Sequence, residues 1–240
     1  MAGLSGGYTR GRTRGKDGEQ ALTTLARIKQ DQVVAAFIAK GDEHLGAMGY
    51  TEHGFRHANL VSNINRNILE RLSFSDREAE LGAIAGYIHD LGNAISRHNH
   101  GQTSAVLATD LLLKMGMPPL EVATVAGAIG NHEEEYGQPV NNVSAALIIA
   151  DKSDVHRSRV RNNDPATFDI HDRVSYAAIR SFLNVREDKR TITLELTVEI
   201  EICPVMEYFE IFLARMMMCR RAASFLDCHF HIVINGTPIL

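Results

Sequence analysis

Tyr87-Ile88-His89-Asp90-Leu91-Gly92-Asn93 sets an imidazole and a carboxylate side by side, at the end of an apolar run and just before a glycine. A buried polar pair of this kind needs its charge compensated, and a divalent metal ion is the usual partner of neighbouring imidazole and carboxylate groups. Further candidate ligands flank the pair: His57 upstream, then His100, His132 and Asp151 downstream. Together they make four histidines and two aspartates, enough for two metal ions.

The segments around this stretch read as helices. Ser75-Asp76-Arg77-Glu78 is a capping box that opens the helix leading to His89-Asp90, with Leu81, Ile84, Ala85 and Ile88 as its buried stripe. Upstream, Gly49-Tyr50-Thr51 breaks the pattern. Thr51 is expected to cap a long helix to about Leu72, with Leu60, Ile64, Ile68 and Leu72 on one stripe and His53 and His57 one turn apart on a shared face. Residues 20–48 read as helix in two pieces, with Asp31 as the N-cap of the second.

Downstream, residues 93–100 form a polar loop holding Arg97, His98 and His100. Helices are expected from Gln102 to Met115 and from Pro118-Pro119 to about Gly130, where Asn131-His132-Glu133-Glu134-Glu135 follows. The next helix runs from Asn142 to about Val160 and carries Asp151 and Asp154. After Pro165 the character changes. His171 to Phe182 reads as a helix, Leu183–Glu187 and Arg190–Ile202 as strands around Asp188-Lys189, Pro204–Leu226 as an apolar helix and Cys228–Ile234 as a third strand. The alternation of Ile192, Leu194, Leu196, Val198, Ile200 and Ile202 marks a half-buried strand. The fold class is therefore mainly α: a helical bundle with a small C-terminal antiparallel β-sheet plus helix, an α+β appendage. The expected division is a disordered Gly/Arg-rich tail over 1–19, a helical metal-binding domain over 20–165, and a helix plus small β-β-α-β unit over 166–240.

The 240 residues, 45% hydrophobic and 22% charged, suffice for one sizeable core. A net charge of −4 argues against a nucleic-acid-coating protein. Cys203, Cys219 and Cys228 show no CxxC spacing and read as reduced packing residues, so a cytoplasmic location is expected. There is no apolar run of membrane-spanning length and no apolar signal core, so no membrane partner is expected.

The ordered series His57, His89-Asp90 and Asp151 resembles the HD superfamily of metal-dependent phosphohydrolases over about residues 30–160. The Asn131-His132-Glu133 string and Ala150-Asp151-Lys152-Ser153-Asp154 stand where that family has its motif segments. His100-Gly101-Gln102-Thr103-Ser104-Ala105 is similar to the segment that supplies an extra histidine in binuclear members; with His132 it implies a second metal. His98 is the alternative to His100 in that loop. The chain departs from HD-GYP cyclic-dinucleotide phosphodiesterases in having Asn131-His132 in place of paired histidines and Asn93 in place of a lysine. Gly137-Gln138-Pro139 only echoes their Gly-Tyr-Pro. These departures argue against cyclic-di-GMP hydrolysis. The same fold resembles mixed-valent di-iron oxygenases, whose ligands are also four histidines and two aspartates. A second His-Asp pair, His171-Asp172, reads as a structural helix start.

The resemblance implies an HD-type bundle that cleaves a phosphoester, of a nucleotide or another small phosphorylated substrate, with metal-activated water. His57, His89, Asp90 and Asp151 would hold a first divalent metal, His100 and His132 a second, with Fe, Mn, Ni, Co, Zn and Mg all open. Asp90, Lys152 and Asp154 are the candidate catalytic residues, and Arg97, Lys152, Arg157 and Arg161 the candidates for the substrate phosphate. Two other readings stand beside it: a di-iron oxygenase on the same ligands, and a non-catalytic nucleotide-sensing module. The apolar helix Pro204–Leu226 is the candidate surface for a homodimer.

Overall fold

The computed structural model describes residues 22–162 and 164–239. The expected tail over 1–19 lies outside the described residues. Helices α1 (Leu25–Lys29) and α2 (Gln32–Ala47) are the two pieces expected from the sequence, and the Asp31 carboxylate accepts the Val33 and Val34 N–H groups as the N-cap of α2.

Helices α3 (Phe55–Arg71) and α4 (Asp76–Ile88) form the centre of the bundle. The Ser75 hydroxyl accepts the Glu78 N–H as the N-cap of α4, and it stands 3.1 Å from the Glu78 carboxylate. The two helices approach backbone to backbone. A Cβ on Gly86 would lie 2.8 Å from the Cα of Ser62, and the Ser62 hydroxyl donates to the Ala83 carbonyl at 2.7 Å. This contact fixes where His57 on α3 stands against His89 at the end of α4. Helices α5 (His100–Lys114) and α6 (Pro119–Gly130) pair with each other, and α7 (Asn142–Lys152) runs through the core against α3, α4 and α6. Its residues Ala145 to Ala150 are all fully buried.

The C-terminal part holds α8 (Ile170–Ala177), β1 (Ala178–Arg186), β2 (Thr191–Val198), α9 (Val205–Phe225), β3 (His229–Ile234) and β4 (Thr237–Pro238), with sheet order β1-β2-β3-β4. Ile192, Leu194, Leu196 and Val198 are buried, as their alternation requires, but β2 ends at Val198 rather than Ile202, and Ile200 in the turn beyond it is exposed. The sheet is mixed where an antiparallel one was expected. β1 pairs with β2 antiparallel across Leu183 and Leu194, whereas β2 pairs with β3 in parallel, Ile192 opposite Phe230. The reason is the connection: α9 is long enough to carry the chain back to the same end of the sheet, so the strand after it runs parallel.

Three local expectations are corrected. Gly54, not Thr51, occupies the N-cap of α3, because residues 51–54 are drawn into a loop where the Asp42 carboxylate accepts the His53 N–H at 2.8 Å and Glu52 N–H bonds the Arg159 carbonyl at 2.8 Å. The helix carrying Asp151 stops at Lys152, since the chain turns there and Arg159 folds back to donate to the Asp154 carbonyl at 2.9 Å. Residues 178–182 are strand, because Ser181 and its neighbours pair with β2. Among the described residues no helix is long and apolar enough to cross a membrane. Cys203, Cys219 and Cys228 are buried and free.

Candidate metal centre

Five structural elements deliver the six side chains singled out by the sequence. His57 lies in the first turn of α3, His89 caps the C-terminus of α4, and Asp90 follows it. His100 is the first residue of α5, His132 stands just past the end of α6, and Asp151 sits in the last turn of α7. All four imidazoles turn Nε2 inward. His57 Nε2 and His89 Nε2 are 3.3 Å apart, and both face Asp151 Oδ1 at 3.4 and 3.7 Å. Asp90 divides its two oxygens: Oδ2 lies 3.7 Å from His57 and 3.5 Å from His89, while Oδ1 lies 3.3 Å from His100 and 3.7 Å from His132.

The outward-facing nitrogens are all engaged. His89 Nδ1 donates to the Gly86 carbonyl at 2.9 Å, His132 Nδ1 to the Ile129 carbonyl at 2.6 Å and His100 Nδ1 to the Arg97 carbonyl at 3.1 Å. His57 Nδ1 donates to Asp154 Oδ2 at 2.7 Å. A carbonyl or carboxylate oxygen only accepts, so each Nδ1 carries a proton and each neutral ring presents a bare Nε2 lone pair to the centre. Two such lone pairs 3.3 Å apart, with carboxylate oxygens around them, repel unless a cation lies between them. A tetrahedron of ~2.1 Å metal–ligand bonds has edges of about 3.4 Å, close to these separations. The sets His57–His89–Asp151 and His89–Asp90–His132 each bring their ligand atoms within 4.8 Å of one another. The donor chemistry therefore fits a divalent metal.

Burial would raise the Asp90 carboxyl, but the imidazoles packed around it, His89 first and then His100 and His132, hold it well below the usual carboxylate range. Asp151 is likewise held low against burial, chiefly by the Lys152 ammonium and the His57 hydrogen bond. Burial pushes His132 down to about 4, which keeps that ring neutral. Burial and the Arg159 charge oppose a proton on His57, yet its bonds with Asp151 and Asp154 outweigh them and raise it.

A cavity of about 690 Å³ opens over Asp90 and Asp151. Arg97 and Lys152 line it. Lys152 Nζ lies 2.5 Å from Asp151 Oδ2, and Arg97 stands 3.4 Å from His100 Nε2 and 5.3 Å over the Tyr50 ring. Arg157 and Arg161 do not line it. Arg157 pairs with Glu199 and donates to the Tyr176 carbonyl, while Arg161 pairs with Asp42 and donates to the Tyr50 carbonyl. They were expected beside the substrate because they follow Asp151 closely in sequence, but α7 ends at Lys152 and the chain beyond it carries them to these other partners. Asp154 lies behind His57, bonded also to Arg56 at 2.8 Å. His98 lines the cavity, but it is His100 that meets Asp90. His53 lies in the loop before α3, its Nδ1 donating to the Thr51 carbonyl at 2.7 Å and its ring 5.3 Å from that of His57.

Of the basic residues that closely follow Asp151 in the sequence, Lys152 and Arg159 are the ones that reach the cavity, and several other residues there carry no assignment from the sequence. Glu133 Oε1 is 3.2 Å from His100 Nδ1. Arg159 donates to the Glu52 carbonyl at 3.1 Å and lines the cavity. Phe212 and Arg215 of α9 and Asp169 and Ser175 beside or on α8 also line it, so the C-terminal unit forms part of the cavity wall. Glu133 had a local signal in its place directly after His132, and Arg159 in the basic run after Asp151; Phe212, Arg215, Asp169 and Ser175 had none.

No family model matches the chain. The uncharacterized protein MJ1020 of Methanocaldococcus jannaschii is 28% identical over 181 residues, covering 65% of this chain and 68% of that protein. Among solved structures, a predicted HD superfamily hydrolase from an uncultured Thermotogales bacterium overlaps 51% of this chain and 67% of its own, at 21% identity and a TM-score of 0.42.

Proposed function

We propose that this chain is a metal-dependent phosphohydrolase that cleaves a phosphoester of a small, nucleotide-sized substrate. The observation that carries the reading is Asp90: one carboxylate whose two oxygens face two separate histidine pairs, at the floor of a cavity lined by Lys152 and Arg97. His57, His89, Asp90 and Asp151 would hold one divalent ion, and His100 and His132, sharing Asp90, a second. When bound, the metal supplies a water acidified toward neutrality and a Lewis acid for a phosphoryl oxygen.

The chain's own groups do the rest. Lys152 and Arg97 set two cations where a phosphoryl group approaches Asp90 and Asp151, and they offset the charge that develops on its oxygens. Asp154 keeps the His57 ring turned inward and its tautomer fixed. The cavity exceeds what inorganic phosphate needs and falls in the size range of small-molecule sites, and Tyr50 and Tyr136 are among the residues on its wall.

A di-iron oxygenase would use the same six ligands. The two cations beside the carboxylates favour phosphate over an uncharged organic substrate. The test is a panel of nucleoside monophosphates, cyclic nucleotides and p-nitrophenyl phosphate, assayed with Mn²⁺, Co²⁺ and Fe²⁺ and with oxygen uptake followed in parallel. The expected outcome is phosphate release supported by more than one metal and abolished in Asp90→Ala. Oxygen uptake that requires iron, with no phosphate released, would overturn it.

A further inference from the structure

We infer that Glu133 is the positioning residue that builds the His100 half of the centre, an assignment that rests on the metal-binding reading above. Helix α5 begins at His100. Asn99 before it is left-handed, at φ 55°, and gives no side-chain cap. The first N–H groups of the helix therefore need partners from elsewhere. Glu133, in the turn after α6, provides one: its Oε1 accepts the Gly101 N–H, which also sets a negative group at the positive end of the helix. The same oxygen lies 3.2 Å from His100 Nδ1. With Nδ1 donating to the Arg97 carbonyl at 3.1 Å and the Glu133 carboxylate beside it, Nε2 points to Asp90 Oδ1 at 3.3 Å.

The glycine beside His100 is part of the device. A Cβ on Gly101 would lie 2.9 Å from Glu133 Oε1 and 3.2 Å from His132 Cε1. A side chain at 101 would push the Glu133 carboxylate and the His132 ring aside, and glycine leaves both where they are. His100-Gly101 and His132-Glu133 thus interlock: each pair presents one inward imidazole, and Glu133 and Gly101 let the two meet. A carboxylate behind a ligating imidazole raises its basicity and fixes its orientation, and loss of such a partner costs about 10–100-fold in metal affinity.

The test is a Co²⁺ titration of chelator-stripped protein, followed by visible absorption and equilibrium dialysis. Wild type is expected to take up two equivalents. Glu133→Ala should keep the first at wild-type affinity and bind the second about 10–100-fold more weakly. Glu133→Gln, which keeps an acceptor for the Gly101 N–H but lacks the charge, should fall between, and Gly101→Ala should reproduce Glu133→Ala. A residue that merely caps α5 would alter melting without separating the two equivalents. Two equivalents of unchanged affinity in Glu133→Ala overturn the inference; if that variant does not fold, unchanged affinity in Glu133→Gln does so. A wild type that takes up no second equivalent overturns the binuclear reading itself, and this inference with it.

Discussion

Replacing Asp154 by asparagine tests the way the centre is held. The side chain is 1% exposed, and its Oδ2 meets His57 Nδ1 at 2.7 Å and Arg56 Nη2 at 2.8 Å, with Oδ1 3.2 Å from Arg56 Nη1. Arg159 Nε lies 3.6 Å away. Burial would favour the neutral acid, but the charge of Arg159 and the bonds from His57 and Arg56 hold it ionised. Asparagine keeps the shape and removes the charge, and its amide N–H₂ must face one of the donors that the carboxylate accepted. Breaking a buried ion network by deleting one partner costs ~3–5 kcal/mol. Arg56, 36% exposed, can turn to water, whereas Arg159, at 7%, cannot, so the lower end of that range, about 3 kcal/mol, is expected. A second loss follows with metal present. Without a charged partner at Nδ1, His57 should bind metal about 10–100-fold more weakly, which is ~1.4–2.7 kcal/mol. Urea unfolding of stripped and Mn²⁺-saturated protein separates the two: the deficit of Asp154→Asn should be larger in the saturated pair by that second amount. If the variant loses stability equally in both and its calorimetric Mn²⁺ affinity stays within about twofold of wild type, Asp154 is only a structural anchor and the argument from the outward nitrogens fails.

Two further substitutions probe position. Arg97→Ala removes a cation beside His100 and should raise KM for a phosphorylated substrate by about 10–100-fold, the worth of one charge-assisted hydrogen bond of ~1.5–3 kcal/mol, while Arg161→Ala, whose partners are Asp42 and Tyr50, should leave KM unchanged in the same steady-state assay. Gly86→Ala sets a Cβ 2.8 Å from the backbone of Ser62, where nothing can swing aside; it should cost ~1–3 kcal/mol in urea unfolding and weaken Mn²⁺ binding by moving His57 off His89.

The convergence of the four histidines and two aspartates was legible from the resemblance to the HD series and from the place of each residue in its helical segment. His89-Asp90 ends a capped helix, His132 ends a Pro-started one, and Asp151 lies in an apolar run. The arginines were not. Arg157, Arg159 and Arg161 look alike along the chain, yet they go to Glu199, to the Glu52 and Asp154 carbonyls, and to Asp42. That sorting depends on where α7 stops, which is set by long-range bonds to the loop before α3. The parallel pairing of β2 with β3 was hidden for a related reason. The alternation of Ile192 to Val198 gives the buried face of a strand but says nothing of its neighbour's direction.

The same division explains which of the four imidazoles need help from distant residues. His89 and His132 stand at helix C-termini, where carbonyls have lost their intrahelical partners, and each donates Nδ1 to the carbonyl three residues earlier, at Gly86 and Ile129. Their orientation comes with their position in the sequence. His57 lies in the first turn of α3, where the Gly54 carbonyl three residues back already accepts the Ala58 N–H. It has no spare carbonyl behind it, and Asp154 comes from 97 residues away to take its Nδ1. His100 also starts a helix, but like His89 and His132 it donates Nδ1 to the carbonyl three residues earlier, at Arg97, with the distant Glu133 carboxylate 3.2 Å away beside it. Of the four, His57 is the one whose Nδ1 partner comes entirely from a distant acid. Substitutions at Asp154 and Glu133 should therefore weaken metal binding through His57 and His100 respectively, while His89 and His132 keep their geometry in both variants.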